Sequence, residues 1–330
     1  MAKILQAQLS RFDTWLQNGG ADSVEAMRPQ VGMAHNALLR NYEWERIDQR
    51  VVEVTRATLV AANDFQRLGL IEPLGGLGVT ISTYEQLSDM SDAELSMEGI
   101  TRGEKGRLEF SPQSVPVPII HKEFEISRRH LESARRNGNN IDTTHAVTAA
   151  RRVRDKIENL IFNGDKTKVA GYTISGFRTK SQRIQKTATE CGGGDWATAE
   201  NPYKSLVGAI GFLAAAGFYG PYGVYVARPQ YTQSLHLLNS AGGSRNELAA
   251  MLEIPDISFI TPADALPAEN VIVWQLSADV ADLAVGADIS TVQWDELGGM
   301  LTQFRVMTAL VPRIKHDSNG ACGVLHMTGA

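Results

Sequence analysis

The chain has 330 residues, 43% of them apolar and 21% charged, with a formal net charge of −5. Those proportions are ordinary for globular proteins and exclude collagen, coiled coil and wholesale disorder; the acidic balance also excludes a nucleic-acid binder working through a global basic field. Two cysteines, Cys191 and Cys322, stand far apart, which leaves no disulfide framework and no cysteine-based structural zinc site. No apolar run reaches the length of about 18 residues that a membrane helix needs. The opening MAKILQAQLSRFDTWLQ lacks the uninterrupted apolar core of a signal peptide. The expectation is a soluble protein made in a reducing compartment.

Residues 1–41 are rich in Gln, Asn, Ala and Gly, with apolar anchors at Ile4, Leu5, Phe12, Trp15 and Leu16. Gly19-Gly20 and Pro29 stop any long helix, so this stretch reads as an N-terminal arm that orders against another surface. From Tyr42 to about Gln66 the pattern is helical, with Trp44, Ile47, Val51 and Val54 recurring at threes and fours. Leu68 to Ile81 is strand-like and broken by Pro73 and Gly75-Gly76-Leu77-Gly78. That cluster fits neither phosphate-loop spacing and reads as a turn. In residues 85–114 only eight of thirty positions are apolar, and seven acids face three bases for a local net of −4. Such a stretch cannot build its own core, yet it is long for a passive loop. As a two-stranded excursion it would reach roughly 50 Å, at about 3.3 Å per residue, and would rest on a neighbouring subunit.

Val115 to Ser127 alternates like a strand whose prolines, Pro116 and Pro118, place its start at a sheet edge. Ser127 is positioned to cap a short helix running to Arg136. The clearest helix begins at Thr143 or Thr144, buries Val147, Ala150, Val153, Ile157, Leu160 and Ile161 on one stripe, and stops at Asn163-Gly164. Its other face carries Arg151, Arg152, Arg154 and Lys156; from Arg128 to Lys156 eight bases outnumber three acids, a local net of +5. After Gly192-Gly193-Gly194 the pattern becomes α/β-like. Pro202 opens a helix ending at Gly217, Gly220-Pro221 leads into a strand over 222–227, Pro229 starts a helix to Leu238, and 239–247 is a glycine-rich loop. Strands are expected at 257–260, 271–275, 281–285 and 292–294. A closing pair, 304–314 and 323–327, flanks the turn Asp317-Ser318-Asn319-Gly320.

Chemical motifs are missing from this pattern. The seven histidines form neither HExxH nor a pair at helical spacing, and His121-Lys122-Glu123 lacks the downstream PCxxC of a zinc deaminase. Gly242-Gly243-Ser244-Arg245-Asn246 lacks the last glycine of a nucleophile elbow, and Cys191 has no basic neighbour in sequence to activate it. No catalytic residue, metal site or cofactor is expected. An enzyme of unfamiliar class stays open as a third reading.

The order of these features resembles the HK97-like major capsid proteins of tailed phages, in the branch that includes encapsulin shell proteins. Local likeness lies in Phe124-Glu125-Ile126-Ser127-Arg128, in 155–164 (DKIENLIFNG), in Ile174-Ser175-Gly176-Phe177-Arg178, in 220–226 (GPYGVYV) and in Gly286-Ala287-Asp288-Ile289, over residues 42–328 in all. The resemblance implies an α+β HK97-like capsid fold divided in chain order. Residues 1–41 would be an N-terminal arm and 42–84 an N-terminal helix and the start of the P-domain; 85–114 would be the E-loop and 115–200 the P-domain with its spine helix. Residues 201–295 would form an A-domain with 242–247 as axial loop, and 296–330 would return to the P-domain. It implies a major capsid protein that closes hexamers and pentamers into an icosahedral shell around packaged double-stranded DNA. Such a protein is made in the bacterial host cytoplasm and resides in the virion, with separate scaffolding, decoration and portal proteins and no membrane. An encapsulin shell enclosing a cargo enzyme is the alternative. On either reading, the acidic excursion (Glu94, Glu98, Glu104) and the basic region (Arg128, Arg129, Arg151, Arg152, Arg154) suit head-to-tail association of copies, with DNA as a rival partner for the arginines. Lys105 and Asn319 stand where some members of this fold cross-link, but no Glu follows Asn319 and no cross-link is expected.

Overall fold

In the computed structural model, which describes residues 41–56, 59–87, 97, 110–136, 144–169, 172–236, 245–317 and 320–330, one long helix and two sheets organise the chain. In order, the elements are α1 (Asn41–Arg56), α2 (Ala61–Arg67), β1 (Ile71–Pro73), β2 (Ile81–Leu87), β3 (Phe110–Pro116), β4 (Ile119–Ser127), α3 (Arg128–Arg136) and α4 (Thr144–Asn163). Next come β5 (Asp165–Val169), β6 (Tyr172–Ile174), β7 (Ile184–Thr187), α5 (Asn201–Ala215), β8 (Tyr222–Ala227), α6 (Arg228–Gln233) and α7 (Glu247–Leu252). The last are β9 (Ile257–Ala263), β10 (Asn270–Gln275), β11 (Ala281–Glu296), β12 (Leu301–Ile314) and β13 (Val324–Thr328).

The spine is α4. Ala146, Ala149, Ala150, Val153, Ile157, Leu160 and Ile161 bury one stripe of it, as threes-and-fours spacing demands. α1 lies along it, with Ile47 and Val51 fully buried. The first sheet has the order β1-β11-β12-β4. Its inward residues alternate, Thr302, Phe304, Val306 and Thr308 on β12 being buried, and Phe124 of β4 stacks on Phe304 at 4.9 Å. α4 covers this inner face, while Arg305, Glu123 and Glu125 lie on the outer one, the one-face-in arrangement of an antiparallel sheet.

The second sheet, β7-β13-β10-β8-β9, is buried on both sides. Every residue of β8 is buried. Tyr225, Ile272, Trp274 and Val324 join the core shared with α4, and Val224, Val226, Val271, Val273, Leu325 and Met327 join a second core under α5 and α7. A sheet sandwiched this way reads as continuous apolar runs rather than alternation. The two halves are joined by aromatic rings: Phe162 meets Tyr225 edge-on at 5.0 Å, and Trp274 lies 5.3 Å from both Phe65 and Phe177.

The end of α4 depends on chain far beyond it. Gly164 takes a positive φ of 66°, and the carbonyls of Ile161 and Phe162 accept from the amides of Phe177 and Arg178 at 3.0 and 2.8 Å. Gly176 permits that return, since a Cβ there would stand 2.6 Å from the Phe162 carbonyl carbon.

Several expectations change. The helix expected over 42–66 is two, α1 and α2. Val60 supplies no side-chain cap, and the amides of Val60 and Ala61 donate instead to the Glu158 carboxylate on α4 at 2.8 and 3.1 Å. The strands expected at 281–285 and 292–294 are one strand, β11, with register shifts between Val285 and Ala287 and between Ala287 and Ser290. α6 ends at Gln233 rather than Leu238. α7 starts where a loop is expected to end, capped by Asn246 accepting from the Ala249 amide at 2.9 Å. The chain-order grouping also does not follow the sheets. β11, all but its last residue inside 201–295, belongs to the first sheet, and β13, at the end of 296–330, belongs to the second, where it pairs with β10 and β7. Among the described residues, no helix is long and apolar enough to cross a membrane.

Candidate functional site

Glu94, Glu98 and Glu104, together with Lys105 and Asn319, lie outside the described residues. The arginines expected to face them occupy two places. Arg128 and Arg129 are exposed at the start of α3, where the Arg128 amide donates to the Met300 carbonyl at 3.0 Å and ties the helix to the β11–β12 hairpin. The Ser127 hydroxyl accepts from the His130 amide at 3.4 Å, the cap expected there. Arg151 and Arg152 are exposed on the outward face of α4 and form no ion pair among the described residues. Arg154 differs: its Nε donates to Asp155 at 2.9 Å. Lys156 is held by Asp165 at 2.7 Å.

The root of the acidic excursion is the ribbon β2–β3, with Ile81 opposite Pro116 and Leu87 opposite Phe110. Ser82 and Tyr84 of β2 are buried against the first sheet. There Arg313 donates to Asp282 through Nε and Nη2, both at 2.6 Å, and to the Ser82 hydroxyl at 3.1 Å. Lys315 reaches the same carboxylate at 2.8 Å. Arg313 and Lys315 lie 6.0 and 5.8 Å from the centre of the Tyr84 ring, whose phenol burial pushes above its ordinary range. Gln86 donates to the Asp317 carbonyl at 2.5 Å. This buried lock fixes β2, the described root of the excursion, on the first sheet. Sequence reasoning missed it, and its one signal was a charge inside each of two apolar strands, ADLAV and LVPRI.

A second polar cluster lies where α2, α4 and β8 meet. Tyr225 donates to Asp64 at 3.2 Å, and Arg67 pairs with Asp64 at 3.0 Å. Burial raises Glu158 to about 7 despite the amides it accepts. In the second sheet, His326 accepts from Arg183 at Nδ1 (3.3 Å) and so donates from Nε2 to Asn270 at 2.7 Å. Burial, with Arg183 and Arg178 beside it, lowers the imidazole to about 4.

These groups hold structure together and show no reaction geometry. Burial pushes the thiols of Cys191 and Cys322 up to about 11, far from the thiolate a nucleophile needs. Both nitrogens of His326 are engaged in fixed bonds. Among the described residues, no group of three or more His, Cys, Asp or Glu could hold a metal ion.

A spine helix under a four-stranded sheet, a second sheet buried on both faces and a rooted two-stranded ribbon define a class, the HK97-like shell-forming fold. The structure is similar over 81% of its length to the capsid of Myoviridae phage XM1, covering 91% of that chain with a TM-score of 0.59 and 18% identity. It is also similar over 86% of its length to the virus-like particle of Pyrococcus furiosus, covering 98% of that chain with a TM-score of 0.57 and 14% identity. Residues 32–311 match the Linocin_M18 family, encapsulating protein for peroxidase, and the chain belongs to that family. Among curated proteins it is 29% identical over 295 residues to the type 1 encapsulin shell protein EncA of Myxococcus xanthus, covering 87% of this chain and 93% of that protein. It is 26% identical to the diheme-cytochrome-encapsulin shell fusion protein of Kuenenia stuttgartiensis, over 83% of this chain and 70% of that one.

The chain is therefore a structural shell protein of the encapsulin-like branch and not an enzyme. The expected residence in a virion is corrected: the family and its sequence relatives are encapsulin shells, and phage capsids share the fold alone. Packaged DNA and the phage scaffolding, decoration and portal partners find no support in these matches.

Proposed function

We propose that copies of this chain assemble into a closed nanocompartment that encloses a protein cargo, an enzyme of the peroxidase class named in the family description. One observation carries the reading: the family match runs through 32–311, and the likeness to EncA spans nearly that protein's whole length. The family match therefore takes in the spine helix, the rooted excursion and every strand of the two sheets except β13 and the last three residues of β12. In this reading 85–114 is the E-loop, α4 and the first sheet form the P-domain, α5 with the second sheet forms the A-domain, and 242–247 is the candidate axial loop. The acids Glu94, Glu98 and Glu104 of one copy rest on Arg128, Arg129, Arg151 and Arg152 of the next; Arg154 adds less because Asp155 already engages it. Each exposed pair contributes under about 1 kcal/mol, so repetition around the shell carries the effect.

The test is to purify the chain expressed alone, separate it by size, image it in negative stain and record its ultraviolet spectrum. Small uniform closed shells with a protein spectrum are expected. A monomer or dimer as the only species would overturn the shell, and a nucleic-acid spectrum surviving nuclease treatment would overturn the protein-cargo reading. Reversing Glu94, Glu98 and Glu104 to Lys should change the salt tolerance of assembly; unchanged tolerance would remove the arm-to-base contact alone.

A further inference from the structure

Helix α5, NPYKSLVGAIGFLAA, has one charged residue, Lys204. Leu206, Ala209 and Leu213 bury its inward face in the second core. A helix lying on a surface is normally polar on the other side, and a helix apolar all round is normally buried. Here the outward line is Tyr203, Val207, Gly211 and Ala215, four residues apart and all exposed, with Tyr203 at 39% and Val207 at 46%. Next to it runs a groove of about 410 Å³ between α5 and α7, lined by Tyr203, Val207, Ala250, Glu253, Ile254 and Pro255.

Gly211 is the second observation. A glycine inside a helix costs roughly 0.5–1 kcal/mol against alanine. The other glycine of α5 is accounted for within the subunit, because a Cβ on Gly208 would stand 2.6 Å from the backbone carbonyl carbon of Cys191. A Cβ on Gly211 meets no described atom within 4 Å. Nothing described in the subunit asks for glycine there. A bare helix backbone at the centre of an exposed apolar line suits close approach by another chain.

Charge identifies the occupant. Two ion pairs inside the subunit edge the patch, Lys204 with Glu200 at 2.9 Å and Arg245 with Glu253. Apart from Glu253, which Arg245 engages, the patch carries no charge, and both ion pairs at its edge are neutral, so a copy of the same chain meets it without like charges opposed, and its apolar centre within a polar rim is interface anatomy. A small ligand is a poorer fit: beyond the Tyr203 hydroxyl and a Glu253 that Arg245 engages, the lining offers no converging polar groups.

We propose that the outward line of α5 and the adjoining α7 groove form a contact surface between copies of this chain. The proposal rests on the shell reading, and its test separates the two. Val207→Cys places a reporter in the line of the full-length chain, against a low background because Cys191 and Cys322 are both buried. A maleimide should label that thiol freely in dissociated subunits and about tenfold or more slowly in assembled shells, since interface cores pack like protein interiors. Alongside it, Val207→Glu and Gly211→Leu should keep the subunit's circular dichroism and lose shells on sedimentation. Gly211→Ala should raise the subunit's unfolding midpoint while lowering shell yield. Equal labelling in subunits and shells, or folded Val207→Glu and Gly211→Leu chains that assemble at wild-type yield, would overturn this contact and leave the shell standing. A wild-type chain that forms no shells would sink the shell reading itself.

Discussion

Asp282→Ala should be among the most damaging single changes in the first sheet. Asp282 and Arg313 are direct partners across β11 and β12, and both are nearly closed to solvent, at 5% and 6% exposure. The substitution removes the acceptor of two 2.6 Å bonds from Arg313 and leaves its guanidinium with the Ser82 hydroxyl as its remaining described hydrogen-bond partner, beside the Tyr84 ring. Breaking a buried ion pair from one side costs about 3–5 kcal/mol, a large share of the roughly 5–15 kcal/mol that holds a domain folded. Lys315 adds little to that loss, because it is more exposed and keeps its bond to the Ala278 carbonyl at 2.8 Å. Replacing both partners by apolar residues, Asp282→Leu with Arg313→Met, removes the stranded charge and should bring stability back to within about 1 kcal/mol of wild type. Urea unfolding of the dissociated subunit, followed through the buried Trp196 and Trp274, measures both variants. A single variant within about 1 kcal/mol of wild type, or a double variant worse than the single, would refute the reasoning.

Three further outcomes are expected. The Glu158 carboxyl, ordinarily near 4.5, titrates at about 7 in the fold because of burial. Its stabilisation is therefore full below 4.5 and lost as pH rises through 7, by up to about 3 kcal/mol. Glu158→Gln keeps an acceptor for the α2 amides and should melt higher than wild type at pH 8 while matching it at pH 5; parallel melting curves across that range would count against it. For His326, lowered from 6.5 to about 4, the sign reverses: stability is full above 6.5 and falls away toward pH 4, again by up to about 3 kcal/mol. His326→Gln should flatten that acid limb in thermal melts between pH 7 and 4.5, and an unchanged limb would show that another group carries it. Gly176→Ala puts a Cβ 2.7 Å from the Ile161 carbonyl oxygen and should cost about 1–3 kcal/mol by overpacking, read as a shift in denaturation midpoint; no shift would mean that the return after α4 yields easily.

Much of the molecule was legible where the governing interactions are local. The spine helix follows from its own spacing and from Asn163-Gly164. The Ser127 cap involves groups three residues apart, and the strands expected over 222–227 and 271–275 are β8 and β10. The shell class was legible through the order of such elements, although the choice between a genome and a protein inside was not, since both cargoes use one fold. What failed depends on partners distant in sequence. The break between α1 and α2 is set by Glu158, 98 residues beyond Val60, and no local signal in 42–66 reports it. β11 reads as two strands because its register shifts interrupt the alternation, and only the continuous β12 beside it carries the pairing through.

The same division explains the candidate surfaces. Composition and periodicity alone determined a mix of helical and strand-like segments without a recognised catalytic motif, a polar acidic segment and a basic helix face, because each is a property of residues within a turn or two of one another. Tertiary structure alone decided that Asp282 and Arg313 lock the excursion's root, that Arg154 is already engaged, and that β13 closes the second sheet. It also decided that Gly208 is needed inside the subunit while Gly211 opens outward. A charge or a glycine in a sequence has no fixed role until the chain brings its partner near or leaves the space empty. That depends on burial and approach between segments that the sequence holds far apart.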